Sequence, residues 1–150
     1  MSRTINSAGL AIIRDYEGFR PKAYQCPAGV WTIGYGTTRY PNGTAVKEGD
    51  VCTPDQAEVW LENHLVGVEN TIVKAVKVPI SDNAFSALCS LVYNIGSGLF
   101  LSSTLLKRIN EGAPDGLITT HMKAFIFAGG KQLPGLVKRR ASEAALWGMK

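Results

Sequence analysis

Three side chains in the first quarter of the sequence carry usable chemistry at a spacing that lets them meet: Glu17, Cys26 and Thr32. Leu10, Ile13 and Glu17 stand at i, i+3 and i+7, so the carboxyl shares a helix face with two apolar residues. A charged group on such a face is either paired or driven toward its neutral form. A carboxyl that keeps its proton near neutral pH is suited to protonating the leaving oxygen of a glycoside. The plainer alternative is a helix-end glutamate turned to solvent or bound to an arginine. Cys26 brings a thiol and Thr32 a hydroxyl, and both fall in a segment that reads as a hairpin, able to face Glu17 across a gap. Taken singly, a cysteine is a small buried filler and a threonine an ordinary strand residue.

The elements that must position them can be read from pattern. Ser7 caps a helix running to about Glu17, with Gly18 as its stop. Residues 23–38 are rich in β-branched and aromatic types and are broken by Pro27-Ala28-Gly29, the mark of a hairpin. In its returning strand Val30, Thr32 and Gly34 share one side, and Trp31, Ile33 and Tyr35 the other. A third short strand is expected near Lys47 to Cys52, after the Pro41-Asn42-Gly43 turn. Thr53-Pro54-Asp55-Gln56 is a capping box with proline at the first helical position. Leu61, Leu65, Val68, Ile72 and Val76 then recur at helical steps until Pro79. Ser81 opens a helix with Phe85, Leu88, Val92 and Ile95 on one face, ended by Gly96. Further helices fit Ser103 to Asn110, Asp115 to Phe127 and Leu136 to Trp147. This is an α+β chain: a small N-terminal lobe with a helix and a hairpin or three-stranded antiparallel sheet, a long connecting helix, and a helical C-terminal lobe. The lobes cover roughly 14–53 and 54–150, with the N-terminal helix added, and a cleft lies between them within one domain.

Composition narrows the function classes. A net charge of +4 is mild, with much of the basic excess in Lys138, Arg139 and Arg140. That favours any anionic partner, bacterial wall polymer or nucleic acid alike, through long-range steering. No glycine loop suits a phosphate, and no Cys/His spacing suits zinc, so neither a nucleotide cofactor nor a metal is expected. The three cysteines, Cys26, Cys52 and Cys89, read as free thiols, with a Cys26–Cys52 bridge as the alternative after export and Cys89 in the core. His64 and His121 lie in helices outside any motif, where surface or helix-packing roles outweigh a thiol–imidazole pair with Cys26. Asp15 points to a different face from Glu17 and into solvent. The first 13 residues are too short an apolar stretch, followed too soon by Arg14, Asp15 and Glu17, for a signal peptide or a membrane span.

The stretch Glu17-Gly18-Phe19-Arg20 through Tyr24, Cys26, Gly29 and Trp31-Thr32-Ile33-Gly34-Tyr35-Gly36 resembles the active-site segment of the phage lysozyme family. That family places a Glu, then after eight residues an Asp or Cys, then after five more a Thr; Glu17, Cys26 and Thr32 match. The resemblance continues through Phe85, Ala87-Leu88, Tyr93-Asn94-Ile95-Gly96 and Ser103-Thr104-Leu105-Leu106. It ends in Ala128-Gly129-Gly130-Lys131, Leu133-Pro134-Gly135-Leu136 and Arg139-Arg140. Two positions depart from the commoner pattern: Phe125 stands where many relatives have Trp, and Cys26 where many have Asp.

The resemblance implies a muramidase that hydrolyses the β-1,4 bond between N-acetylmuramic acid and N-acetylglucosamine in peptidoglycan, with inversion. Inverting enzymes set an acid and a water-activating group about 6.5–9.5 Å apart. Glu17 would be the acid and Thr32 would position the water. Cys26 would act as base, orient water while neutral, or attack the sugar itself; the first two agree with inversion. Tyr24, Tyr35, Asn94 and Arg140 are the expected substrate contacts; one of Arg139 and Arg140 would approach Glu17 or the substrate, the alternative being an exposed basic face that favours the anionic wall. The alternatives are a lytic transglycosylase and an inactive wall-binding module. The resemblance further implies a monomer that acts on glycan strands without binding nucleic acid or inserting stably in a membrane. It would accumulate in the host cytoplasm and reach the wall once a holin-type partner permeabilises the membrane, lysing the host.

Overall fold

The computed structural model describes residues 3–149. Helix α1, Ser7–Glu17, is capped by Asn6, one residue before the expected Ser7, because the Asn6 side chain accepts from the Gly9 amide at 3.0 Å. At its other end Gly18 takes φ +67° and turns the chain straight into β1, so Glu17 is the last helical residue. Strand β1, Arg20–Gln25, pairs antiparallel with β2, Trp31–Gly34, placing Tyr24 opposite Thr32.

The expected third strand reduces to a single bridge, Lys22 to Val51. Its residues are consumed by a turn: Gly49 has φ +91°, and the Asp50 carboxylate accepts from the Lys47 amide at 3.1 Å and the Tyr40 hydroxyl at 2.7 Å. These two bonds hold the Asp50 carboxyl below its ordinary range, while burial and the Asp50 bond push the Tyr40 hydroxyl up to about 12.

The capping box forms as expected at Thr53 and Gln56 and opens α2, Pro54–Ala75, the long connecting helix. It stops before Val76, because Asn110 donates to the Ala75 carbonyl at 2.9 Å and accepts from the Lys77 amide at 2.7 Å. Helix α3, Asp82–Ile95, is buried along nearly its whole length and forms the spine of the larger core with Phe100, Leu105, Ile109, Ile118, Met122 and Trp147. Both α1 and α7, Pro134–Trp147, pack on it. A second cluster of Ile13, Leu61, Leu65 and Tyr93 ties α1, α2 and α3 together.

Between α3 and α7 the structure adds a short helix and a two-stranded hairpin to the elements expected from the sequence. Gly96, at φ +92°, ends α3 and opens the short α4, Ser97–Leu101; α5, Thr104–Asn110, follows as expected. The helix expected over Asp115 to Phe127 stops at Met122, giving α6, Asp115–Met122. The rest becomes a hairpin, β3 at Phe127–Ala128 and β4 at Lys131–Gln132, around Gly129 and Gly130. Both glycines have positive φ, as a two-residue hairpin turn requires. Pro134 starts α7 two residues earlier than expected.

The Thr53 cap serves the start of α2, so Thr53→Ala should lower stability by about 1 kcal/mol with activity intact. Urea unfolding beside a wall-clearing assay checks this.

Candidate active site

A cleft of about 890 Å³ opens where the end of α1, the β1–β2 turn, the end of α3 and the segment from β3 into α7 converge. Glu17, Tyr24, Cys26 and Asn94 line it, and so does Arg139. The remaining wall is apolar, from Leu99, Phe125, Phe127, Leu133 and Leu136. Phe127 and Leu99 are 63% and 51% exposed, which leaves flat hydrophobic surface open to a bound chain.

Glu17 is held by an ion pair. Its Oε2 accepts from Nη1 of Arg139 at 2.5 Å, with side-chain exposures of 15% and 3%. Of the two sequence alternatives for a carboxyl on an apolar face, the geometry takes pairing. Gly36 closes the opposite side of the carboxylate, since a Cβ there would lie 2.8 Å from Glu17 Cδ. With φ +78°, this glycine is required twice over, by its backbone and by the approach.

Cys26 sits at the end of β1, partly exposed, and its amide donates to the Val30 carbonyl at 2.9 Å. The Thr32 hydroxyl donates to the same carbonyl, also at 2.9 Å. Thr32 is 4% exposed and does not line the cleft. The shared acceptor nevertheless fixes Thr32 and Cys26 relative to one another. Tyr24 presents its ring to the cleft beneath the Arg20 guanidinium, 4.3 Å from the ring centre. Burial and the neighbouring Glu17 push its hydroxyl up.

Tyr35 lies off the cleft, its ring 5.9 Å from that of Phe19 and its carbonyl accepting from the Tyr93 hydroxyl. Arg140 is a correction. It is 0% exposed, with Nε 2.7 Å from Oε1 of Glu143 and Nη1 donating to the Phe125 carbonyl at 3.3 Å, so no sugar reaches it. The expected basic face at Lys138-Arg139-Arg140 is corrected for the same reason, because Arg139 is 2% exposed and only Lys138 lies at the surface.

His64 stacks on Tyr93 at 4.3 Å, a packing role, and burial lowers its pKa. Asp15 is exposed, and all three cysteines are free, with Cys89 in the core. Among the described residues no group of His, Cys, Asp and Glu could hold a metal ion. Arg139 is the site residue that the sequence reading left undecided. The signal for it is the i, i+4 spacing of Arg139 and Glu143 on a helix face that also carries Leu146, marking a buried charge pair.

A phage lysozyme family model matches residues 14–143, a span that holds every one of these groups. The chain belongs to the phage lysozyme family. It is 45% identical over 146 residues to the endolysin of Acyrthosiphon pisum secondary endosymbiont phage 1, covering 95% of this chain and 97% of that one. A SAR-endolysin of Bacteriophage PS119 is 38% identical over 134 residues, with 88% of this chain and 77% of the relative covered. The endolysin of Escherichia coli O157:H7 phage FAHEc1 superposes with a TM-score of 0.84 at 36% identity, covering 97% of this chain and 94% of that one. The fold is thus the lysozyme-like α+β fold, and the chain is a glycoside hydrolase of the lysozyme type that lyses peptidoglycan.

Because a Cβ at position 36 would collide with the Glu17 carboxylate, Gly36→Ala should cut wall clearing by at least about tenfold while helical circular dichroism is kept. Normal clearing by the folded variant would show that the close approach is dispensable.

Proposed function

We propose that the cleft hydrolyses the β-1,4 bond between N-acetylmuramic acid and N-acetylglucosamine, with Glu17 as the acid that protonates the leaving oxygen. The observation that carries this reading is that Glu17 and Cys26, on different elements, line one cleft large enough for a glycan strand. Cys26 acts on the water, either as base or by orienting it. Proton transfer to the sulfur and orientation of the water by it both serve an inverting attack. Thr32 bears on that water through Cys26, because its buried hydroxyl and the Cys26 amide are tied to the same Val30 carbonyl. Tyr24 and Asn94 contact the sugar, and the exposed apolar wall at Leu99 and Phe127 packs against its less polar face.

Membership of the family supports a biological reading. The chain is a monomer that accumulates in the host cytoplasm and is released to the wall by a holin-type partner. Among the described residues, no helix is long and apolar enough to cross a membrane. The SAR-endolysin relative makes export the competing route, and fractionation of expressing cells before lysis separates the two.

Hydrolysis should yield reducing-end muropeptides, first as the α-anomer by NMR. Anhydro ends, lighter by one water in mass spectrometry, would identify a transglycosylase, and an initial β-anomer would mean retention. Glu17→Gln should lose on the order of 10²–10⁴-fold in activity while still binding walls. Alkylation of Cys26 should abolish or sharply lower clearing; full activity after verified modification would remove Cys26 from the mechanism.

A further inference from the structure

Glu143 lies one turn beyond Arg139 on α7, is 0% exposed, and has no part in the chemistry just described. Its Oε2 accepts from Ser90 Oγ at 2.5 Å, from Arg139 Nε at 3.2 Å and from Arg140 Nη2 at 3.4 Å. Its Oε1 faces Arg140 Nε at 2.7 Å. Each of these neighbours presents an N–H or O–H, which is the environment of a carboxylate. Burial raises the Glu143 carboxyl above its ordinary value, against the opposing pull of the Arg140 and Arg139 guanidiniums and the Ser90 hydroxyl; with donors facing both of its oxygens, the geometry holds it as the carboxylate. Burial likewise lowers Arg140 to about 10, which leaves it charged at neutral pH.

Arg139 is therefore shared. One nitrogen serves Glu17, a second serves Glu143, and Nη2 donates to the Ser90 carbonyl at 3.0 Å. A guanidinium given wholly to Glu17 would hold that carboxyl ionised, the wrong form for an acid. A second carboxylate on the far side of the same guanidinium opposes that field. We propose that Glu143 is a positioning residue that sets the proton affinity of Glu17 by holding Arg139 between two carboxylates. The inference deepens the proposed function and rests on Glu17 being the acid.

The other groups facing Glu17 do not supply this balance. Tyr24 on β1 and Tyr93 on α3 both have their hydroxyls pushed up by burial, and His64 on α2 is pushed down, so all three are uncharged at neutral pH. Cys26, next to Tyr24, is unchanged in every variant below. The fixed charges around Glu17 are thus Arg139, Arg140 and Glu143.

The test is a carboxyl ¹³C titration of Glu17, assigned by its loss in Glu17→Gln, in the wild type, Glu143→Gln, Arg140→Met and the double variant. The midpoint for Glu17 should fall by on the order of one pH unit in Glu143→Gln and rise comparably in Arg140→Met. In the double variant, where the two charges leave together, it should return to within a few tenths of the wild type. The alkaline limb of the wall-clearing profile should follow the same order. A merely structural role would lower the unfolding temperature without ordering these midpoints. If Glu143→Gln does not fold, Arg140→Met carries the sign test, because Glu143 keeps its Ser90 and Arg139 donors in that variant, and the double variant, which removes the buried pair together, checks the cancellation. A Glu17 midpoint that stays put in folded Glu143→Gln or Arg140→Met overturns the proposal, as does a wild-type Glu143 that titrates within the active pH range. Full clearing by Glu17→Gln would instead overturn the acid assignment and leave the midpoints to be judged on their own.

Discussion

The structure is organised around one buried cation. Taking a guanidinium out of water costs several kcal/mol even after relaxation, and only complete pairing offsets it. Arg139 achieves this with ligands from three separate helices: Glu17 on α1, Ser90 on α3 and Glu143 on its own α7. The requirement fixes α1 and α7 against α3, and it fixes where the last residue of α1 points. Stability and chemistry are therefore coupled at a single side chain. The carboxyl proposed as the acid is one arm of the arrangement that makes the C-terminal helix affordable in the core.

The second constraint is steric and lies in the backbone. Gly18 ends α1 without an intervening loop, so the position of Glu17 is inherited from a rigid helix. Gly36 then brings main chain against the carboxylate where any side chain would displace it. On the facing hairpin, the Val30 carbonyl gathers both the Cys26 amide and the Thr32 hydroxyl, so the turn presents the thiol without depending on loop flexibility. A carboxyl and a thiol can work across a cleft only if neither drifts, and each is anchored by short local bonds.

Much of this was legible in the sequence, for reasons that differ by element. The capping box at Thr53 and the 3.6-residue periodicity of α2 and α3 are local signals; α3 has the expected bounds, and α2 starts at its cap but stops at Ala75. The β1–β2 hairpin was likewise marked by its own turn residues. The misreadings involve competition between local and tertiary effects. Asn110 ends α2 from another helix, which no window around Val76 displays. The Gly129-Gly130 turn was hidden inside a segment of helical composition, and its strands are only two residues each. Arg139 and Arg140 looked like a solvated basic patch because a run of like charges usually is one. Their burial depends on Glu143 and Ser90, whose proximity only the packing of α7 on α3 reveals.

The central claim is that Glu17, held by Arg139, stands at the leaving oxygen of a glycan strand in the cleft. A crystal structure of the Glu17→Gln variant with a bound peptidoglycan oligosaccharide measures this most directly. The account predicts a glycosidic oxygen within about 3 Å of the residue 17 side-chain amide, with the strand running between the Cys26 turn and the Leu99–Phe127 wall. A strand whose glycosidic oxygens all lie beyond hydrogen-bond reach of position 17, or one bound outside this cleft, would contradict it.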